Sequence, residues 1–185
     1  PLLLPFAAAY YSKKNRSELA QLVVSDLDTA EHLWGGNDST KAFRNVLVGP
    51  TDQRGEIWQA WISSGDIELA DSECYYVLHQ SQRVEGKLID RWGLYAAIGV
   101  NDNTLFIHED VLPEGVERAR QGTEACESDM APIFVGCEEG VGQILREFLA
   151  DYCRGRQPFL RMETIEKGAH SVWAVEDPVV SGKIR

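Results

Sequence analysis

The sequence is short of positive charge: 18 Lys and Arg stand against 29 Asp and Glu, giving a formal net charge of −11. A field of that sign repels phosphate backbones and anionic lipid, so bulk electrostatics argue against a nucleic-acid or membrane-surface protein. No basic run offsets it. The densest cluster, Lys13, Lys14 and Arg16, reads as a solvated amino-terminal turn. Long apolar runs are also missing. Residues 1–11 are apolar but too short to span a bilayer and have no basic region before them, so no membrane helix or secretory leader is expected. The four cysteines, Cys74, Cys126, Cys137 and Cys153, form no Cys-x-x-Cys pair, so a zinc ribbon or thiol redox motif is not indicated. They read as reduced, mostly buried thiols of an intracellular, cytoplasmic protein. No Gly-Lys-Ser/Thr, Gly-x-Ser-x-Gly or His-Glu-x-x-His sequence occurs, nor an internal repeat or low-complexity tract.

What is present suits one folded domain, or one domain with a fragment of another. The chain has 185 residues and five tryptophans, enough length and apolar surface for a real core. It starts at Pro1 rather than Met and closes on Val179-Val180-Ser181-Gly182-Lys183-Ile184-Arg185, so a piece of a longer protein is expected. Ser17 reads as the N-cap of a helix with Leu19, Leu22 and Val23 on one stripe, and Asp28 as the cap of a short helix ending at Gly35-Gly36. Residues 43–48 read as a strand closed by Gly49-Pro50. Over 52–64 the spacing of Ile57, Trp58, Trp61 and Ile62 predicts a helix whose apolar face includes both tryptophans, with Gly65 at its C-cap.

Strands are expected over 74–80 and 91–100, the second from the alternation of Trp92, Leu94, Ala96, Ile98 and Val100. A turn at Glu85-Gly86-Lys87 makes these two an antiparallel hairpin. A third strand, 104–107, leads into His108-Glu109. Helices follow over 113–126 and 139–153, the latter with a stripe of Val141, Ile144, Leu145, Phe148, Leu149 and Tyr152. Between them 132–137 reads as a buried strand, and two strands close the sequence at 158–163 and 170–175. Hairpins mixed with helices imply an α+β or mixed α/β fold: a mixed, largely antiparallel sheet with helices packed on it.

Candidate chemistry is sparse. His108 and Glu109 fall where a strand gives way to a loop, and an imidazole beside a carboxylate can move protons near neutral pH. Adjacent strand residues point to opposite faces, so a structural hydrogen-bonding role stands beside the catalytic one. The Gly136–Gly142 stretch loosely resembles a phosphate-cradling loop. Glu138 and Glu139 would repel phosphate, and acids at a helix start have reason enough in the helix dipole. His32, His79 and His170 read as structural histidines, and no metal site is expected.

Several stretches together resemble a known family. Trp61-Ile62-Ser63-Ser64-Gly65, Cys74 to Gln80, Trp92-Gly93-Leu94, His108-Glu109 with Pro113 and Glu117-Arg118, Ala131-Pro132-Ile133-Phe134, and Gly168 to Trp173 occur in the order and spacing of the bacterial and archaeal family called domain of unknown function ten-fifteen. The resemblance covers roughly residues 43–178. It departs at Val111 and Glu117, where the family favours Thr and Asp, and in lacking an early Pro-Pro-Tyr-Asp segment. Longer members continue into a Gly-His-His-Arg motif similar to ParB-like proteins and free serine kinases, and this chain stops before it.

The resemblance implies residues 1–42 as an amino-terminal helical segment, 43–178 as the family-like α/β domain and 179–185 as a truncated end. It further implies the incomplete half of a ParB-like, nucleotide-handling phosphotransferase using a nucleotide with Mg. His108, Glu109 and Arg118 are its expected catalytic residues, being the matching positions of suitable type. The alternative is a non-catalytic binding or assembly module with an exposed apolar or edge-strand surface. DNA binding by analogy to partition proteins is a third idea that the negative charge opposes, and the protein or small-molecule partner stays open.

Overall fold

The computed structural model describes residues 2–18, 41–47, 51–99, 112–130, 132–163 and 168–185. The chain divides into two compact units, each drawn from separated stretches of sequence.

The first unit is Pro1–Ala8, Ala70–Phe106 and Phe134–Arg185. Its centre is a four-stranded antiparallel sheet of β4 (Tyr75–Val84), β5 (Lys87–Tyr95), β7 (Leu160–Glu163) and β8 (Ala169–Val175), in the order β5-β4-β8-β7. The predicted hairpin is β4–β5, closed by the pair Val84↔Lys87. Its loop is two residues, Glu85 and Gly86, with φ of 50° and 79°. Two consecutive positive φ values mark a type I′ turn, whose twist matches that of the strands. The alternating pattern over 91–100 is interrupted at Ala96. Before it the strand pairs with β4; after it β6 (Ala97–Ile98) pairs instead with β1 (Leu3–Leu4). One continuous apolar alternation thus serves two sheets.

One face of the sheet carries Tyr75, Val77 and Val175, which pack with Leu149 and Cys153 of α4 (Glu139–Cys153). The helical stripe predicted over 139–153 is therefore the core-forming element, with Leu145, Phe148 and Tyr152 packed alongside. The closing residues form α5 (Pro178–Ile184): Asp177 caps it by accepting from the N–H groups of Val179 at 2.8 Å and Val180 at 3.3 Å, and Val180 and Ile184 join the same core. On the opposite sheet face Phe6 packs its ring on Tyr76, centroids 5.2 Å apart, while the Tyr75 hydroxyl donates to the Leu3 carbonyl at 2.7 Å. These contacts anchor the amino-terminal arm.

The second unit is Ala9–Leu69 and Ile107–Ile133. Its described residues contain the β2 (Ala9–Tyr11) and β3 (Ile67–Leu69) pair, a 3-10 turn over Lys13–Glu18 that includes Ser17, and the helices α1 (Arg44–Leu47), α2 (Thr51–Ser63) and α3 (Pro113–Cys126). Trp58 and Trp61 are buried and meet edge to face at 6.4 Å, as the stripe predicted. Gly65, at φ 67°, ends α2 in a Schellman arrangement: its N–H donates to the Ile62 carbonyl and that of Asp66 to the Trp61 carbonyl.

Two strand expectations are corrected. Residues 44–47 are helical, with Ala42 and Val46 fully buried. A four-residue apolar spacing suits a helix turn as well as a strand, and the N–H of Val46 donates back to the Phe43 carbonyl. Residues 132–137 belong to no helix or strand, and Ile133 and Phe134 are exposed rather than buried. The expected elements at 19–36 and 104–107 lie outside the described residues.

Candidate functional site

His108 and Glu109 lie outside the described residues, as does His32. Arg118 lies on the exposed side of α3. That helix begins where Pro113, lacking an N–H, occupies its first turn, and it ends at Glu127 in the left-handed region at φ 50°. A shallow, open depression near its start is lined by Arg54, Pro113, Glu114, Glu117, Arg118 and Gln121.

The charges there differ in how they are committed. Arg120 is held by both Glu117 and Glu124 on the same helix surface. Its two hydrogen bonds to Glu117, with a third from Gln121 at 2.8 Å, bring the Glu117 carboxyl down to about 2, so Glu117 is an anion and a very weak base near neutrality. Arg118 has no ion pair or side-chain hydrogen bond with a described residue, and its backbone carbonyl accepts from Arg54 Nη1 at 3.4 Å. Arg54 is a buried guanidinium beneath the depression, 4% exposed. Two arginines at one concave surface suit a phosphate or carboxylate, while Glu114 and Glu117 limit how much negative charge it tolerates. The carboxylates are oxygen donors of the kind Mg accepts, and Mg that arrives with nucleotide phosphates needs only one or two of them. Among the described residues no group of three or more His, Cys, Asp or Glu converges to hold a metal.

A second polar centre gave no signal in the sequence. Asp66 is buried, and its Oδ1 lies 2.9 Å from both Lys14 Nζ and Lys41 Nζ. Asn15 Nδ2 adds a bond at 3.2 Å and the Ser64 hydroxyl donates to Oδ2 at 2.6 Å. Burial alone would push the carboxyl up; the bonds from Ser64, Lys14, Lys41 and Asn15 outweigh it and hold the group far below the usual carboxylate range. Lys14, expected to be solvated, is thus a partner of a residue 52 positions away in sequence. This centre joins segments and exposes no reactive group.

The remaining histidines have structural settings. His79 lies flat on Trp92, ring centroids 4.3 Å apart, with Nε2 3.0 Å from Asp90. His170 shares a hydrogen bond between Nδ1 and Gln80 at 3.3 Å, and burial lowers its pKa. All four cysteines are free thiols; Cys74, Cys126 and Cys153 are buried and Cys137 is exposed. No helix among the described residues is long and apolar enough to cross a membrane.

Neither the curated proteins nor the solved structures compared with the chain gave a match. The family model described as "Protein of unknown function (DUF1015)" matches residues 3–185. That match takes in both compact units and nearly every residue, so the chain belongs to the DUF1015 family.

Proposed function

We propose that the chain is part of a cytoplasmic, ParB-like, nucleotide-handling phosphotransferase, with the depression at the start of α3 as its phosphate-binding corner. The observation that carries this reading is the Arg118 guanidinium, which pairs with no side chain among the described residues and lines the same depression as the buried Arg54. His108 and Glu109 stand ten and nine residues before it in sequence.

In this reading Arg118 binds the transferring phosphoryl oxygens and offsets the charge that builds on them. His108 accepts the proton of a small substrate's hydroxyl, with Glu109 holding the imidazolium. The hydroxyl oxygen bonds to the terminal phosphorus, the bond from that phosphorus to its bridging oxygen breaks, and the shortened nucleotide leaves. Mg carried with the nucleotide supplies charge neutralisation when bound.

The test is titration of the purified chain with Mg-ATP and Mg-ADP by calorimetry, followed by phosphorus NMR with serine and other small hydroxyl compounds. Saturable nucleotide binding is expected, and Arg118→Ala lowers kcat/KM by about 10²-fold where turnover occurs. His108→Ala and Glu109→Gln act on turnover more than on binding. A chain that neither binds nor consumes nucleotide ends this reading. A second reading, a non-catalytic binding or assembly module, is favoured by the exposed apolar residues Phe134 and Ile144. Nucleotide turnover by the chain alone would overturn it.

A further inference from the structure

The apolar stripe of α4 is longer than the sheet it covers. At its carboxyl half Leu149 is 1% exposed; at its amino half Ile144 is 71% exposed and Val141 55%. The preceding segment, outside any helix or strand, adds Phe134, 85% exposed, and Val135. The segment stays close to the helix where it joins it: Cys137 Sγ lies 3.4 Å from where a Gly142 side chain would begin. Single exposed apolar side chains need no explanation, but four at one helix start and in its short lead-in are a concentration that calls for one.

Its border has a sign. Val141, Ile144, Glu147 and Asp151 follow one another at three- and four-residue steps, which places the two acids on the same side of the helix as the exposed apolar pair. Glu138 and Glu139 lie at the helix start. Arg146, two positions after Ile144, is turned well away from that side. A second copy of this chain would bring the same acids into opposition, on a molecule of net charge −11.

We infer that the amino half of α4, with Phe134 and Val135, is a docking surface for an amphipathic helix whose apolar face is edged by Lys or Arg. Val141 and Ile144 supply the apolar anchors and Glu147 sets orientation by pairing with the partner's basic edge, while Asp151, 3.3 Å from Arg154 with both side chains exposed, exchanges that weak surface pair for one with the partner. The inference gives the binding-module reading a surface. Its failure removes only this surface, whereas that reading falls to nucleotide turnover.

The experiment uses the whole chain and three synthetic peptides followed by fluorescence anisotropy at about 0.15 M salt. One peptide is a Leu/Lys amphipathic helix of about five turns, one its Leu/Glu counterpart, and one the Leu/Lys composition scrambled to have no apolar face. The first should bind, with the other two weaker by about tenfold or more. Ile144→Asp and Phe134→Ser, both at exposed positions that leave the fold intact by circular dichroism, should each weaken it by a similar factor. Equal binding of the scrambled peptide, or indifference to Ile144→Asp, overturns the proposal. So does sedimentation showing that the chain dimerises and that Ile144→Asp makes it monomeric.

Discussion

Gly55 on α2 faces the backbone of Ala125 on α3 so closely that a β-carbon at Gly55 would overlap the Ala125 carbonyl oxygen. The two helices meet backbone to backbone, and only glycine permits it. Gly55→Ala should therefore cost about 1–3 kcal/mol in denaturant unfolding, despite alanine's better helix propensity. Gly122→Ala is the control. Its β-carbon would stand 3.5 Å from Arg54 Nη1, an ordinary contact, so that variant should unfold at or above the wild-type midpoint. Equal losses from both would mean that the close approach is not what matters.

Asp66 should govern the acid limb of stability. Its folded pKa is held below the unfolded value, so its contribution is complete above about pH 4 and drains away as pH falls from there toward the folded value. Asp66→Asn leaves two lysines without their shared anion and should cost about 3 kcal/mol at pH 7. The exposure of both ammonium groups keeps that figure from being larger. The variant's stability should also be flatter between pH 5 and pH 2, roughly the span over which carboxylates titrate. An acid limb as steep as the wild type's would show that other carboxylates dominate.

The thiols should separate cleanly in alkylation. Burial pushes the Cys153 thiol up to about 11 and raises that of Cys126, so neither supplies appreciable thiolate at pH 8. Cys137 is exposed. Iodoacetamide treatment followed by peptide mass mapping should find Cys137 modified first, with Cys74, Cys126 and Cys153 modified only after denaturant is added.

The hairpin turn offers a gain of stability. Glu85 holds φ at 50°, a region costly for most side chains but accessible to asparagine. Glu85→Asn should raise the unfolding midpoint by the equivalent of about 0.5–1 kcal/mol. Gly86→Ala, at φ 79°, should lower it. No difference between the two would argue that the hairpin tip is uncoupled from global unfolding.

Much of this architecture was legible because its signals are local. Pro113 at a helix start, the stripe of Leu145, Leu149 and Tyr152, and Gly65 after Trp61 each act within a turn or two of chain, and the helices over 113–126 and 139–153 have the expected limits. The failures are of two kinds. At 43–48 a run too short to show a period was read as a strand, and at 132–137 apolar content was read as burial although Phe134 is exposed. Partnerships across the sequence left no trace: neither Lys14 with Asp66 nor the change of strand partner at Ala96 can be inferred from neighbours. Of the three residues singled out for catalysis, Arg118 lines a depression, while His108 and Glu109 lie outside the described residues.

The interleaving of the two units imposes an order on synthesis. All residues of the second unit have been translated by Ile133, when α4, β7, β8 and α5 of the first are still to come. Until α4 emerges Tyr75 and Val77 have no helix over them, and until β8 follows β4 has one open edge. At about 5–20 residues per second that wait lasts seconds, long compared with hairpin formation. The nascent sheet is thus a natural client for ribosome-associated chaperones, and the demand ends only once β8 has been made.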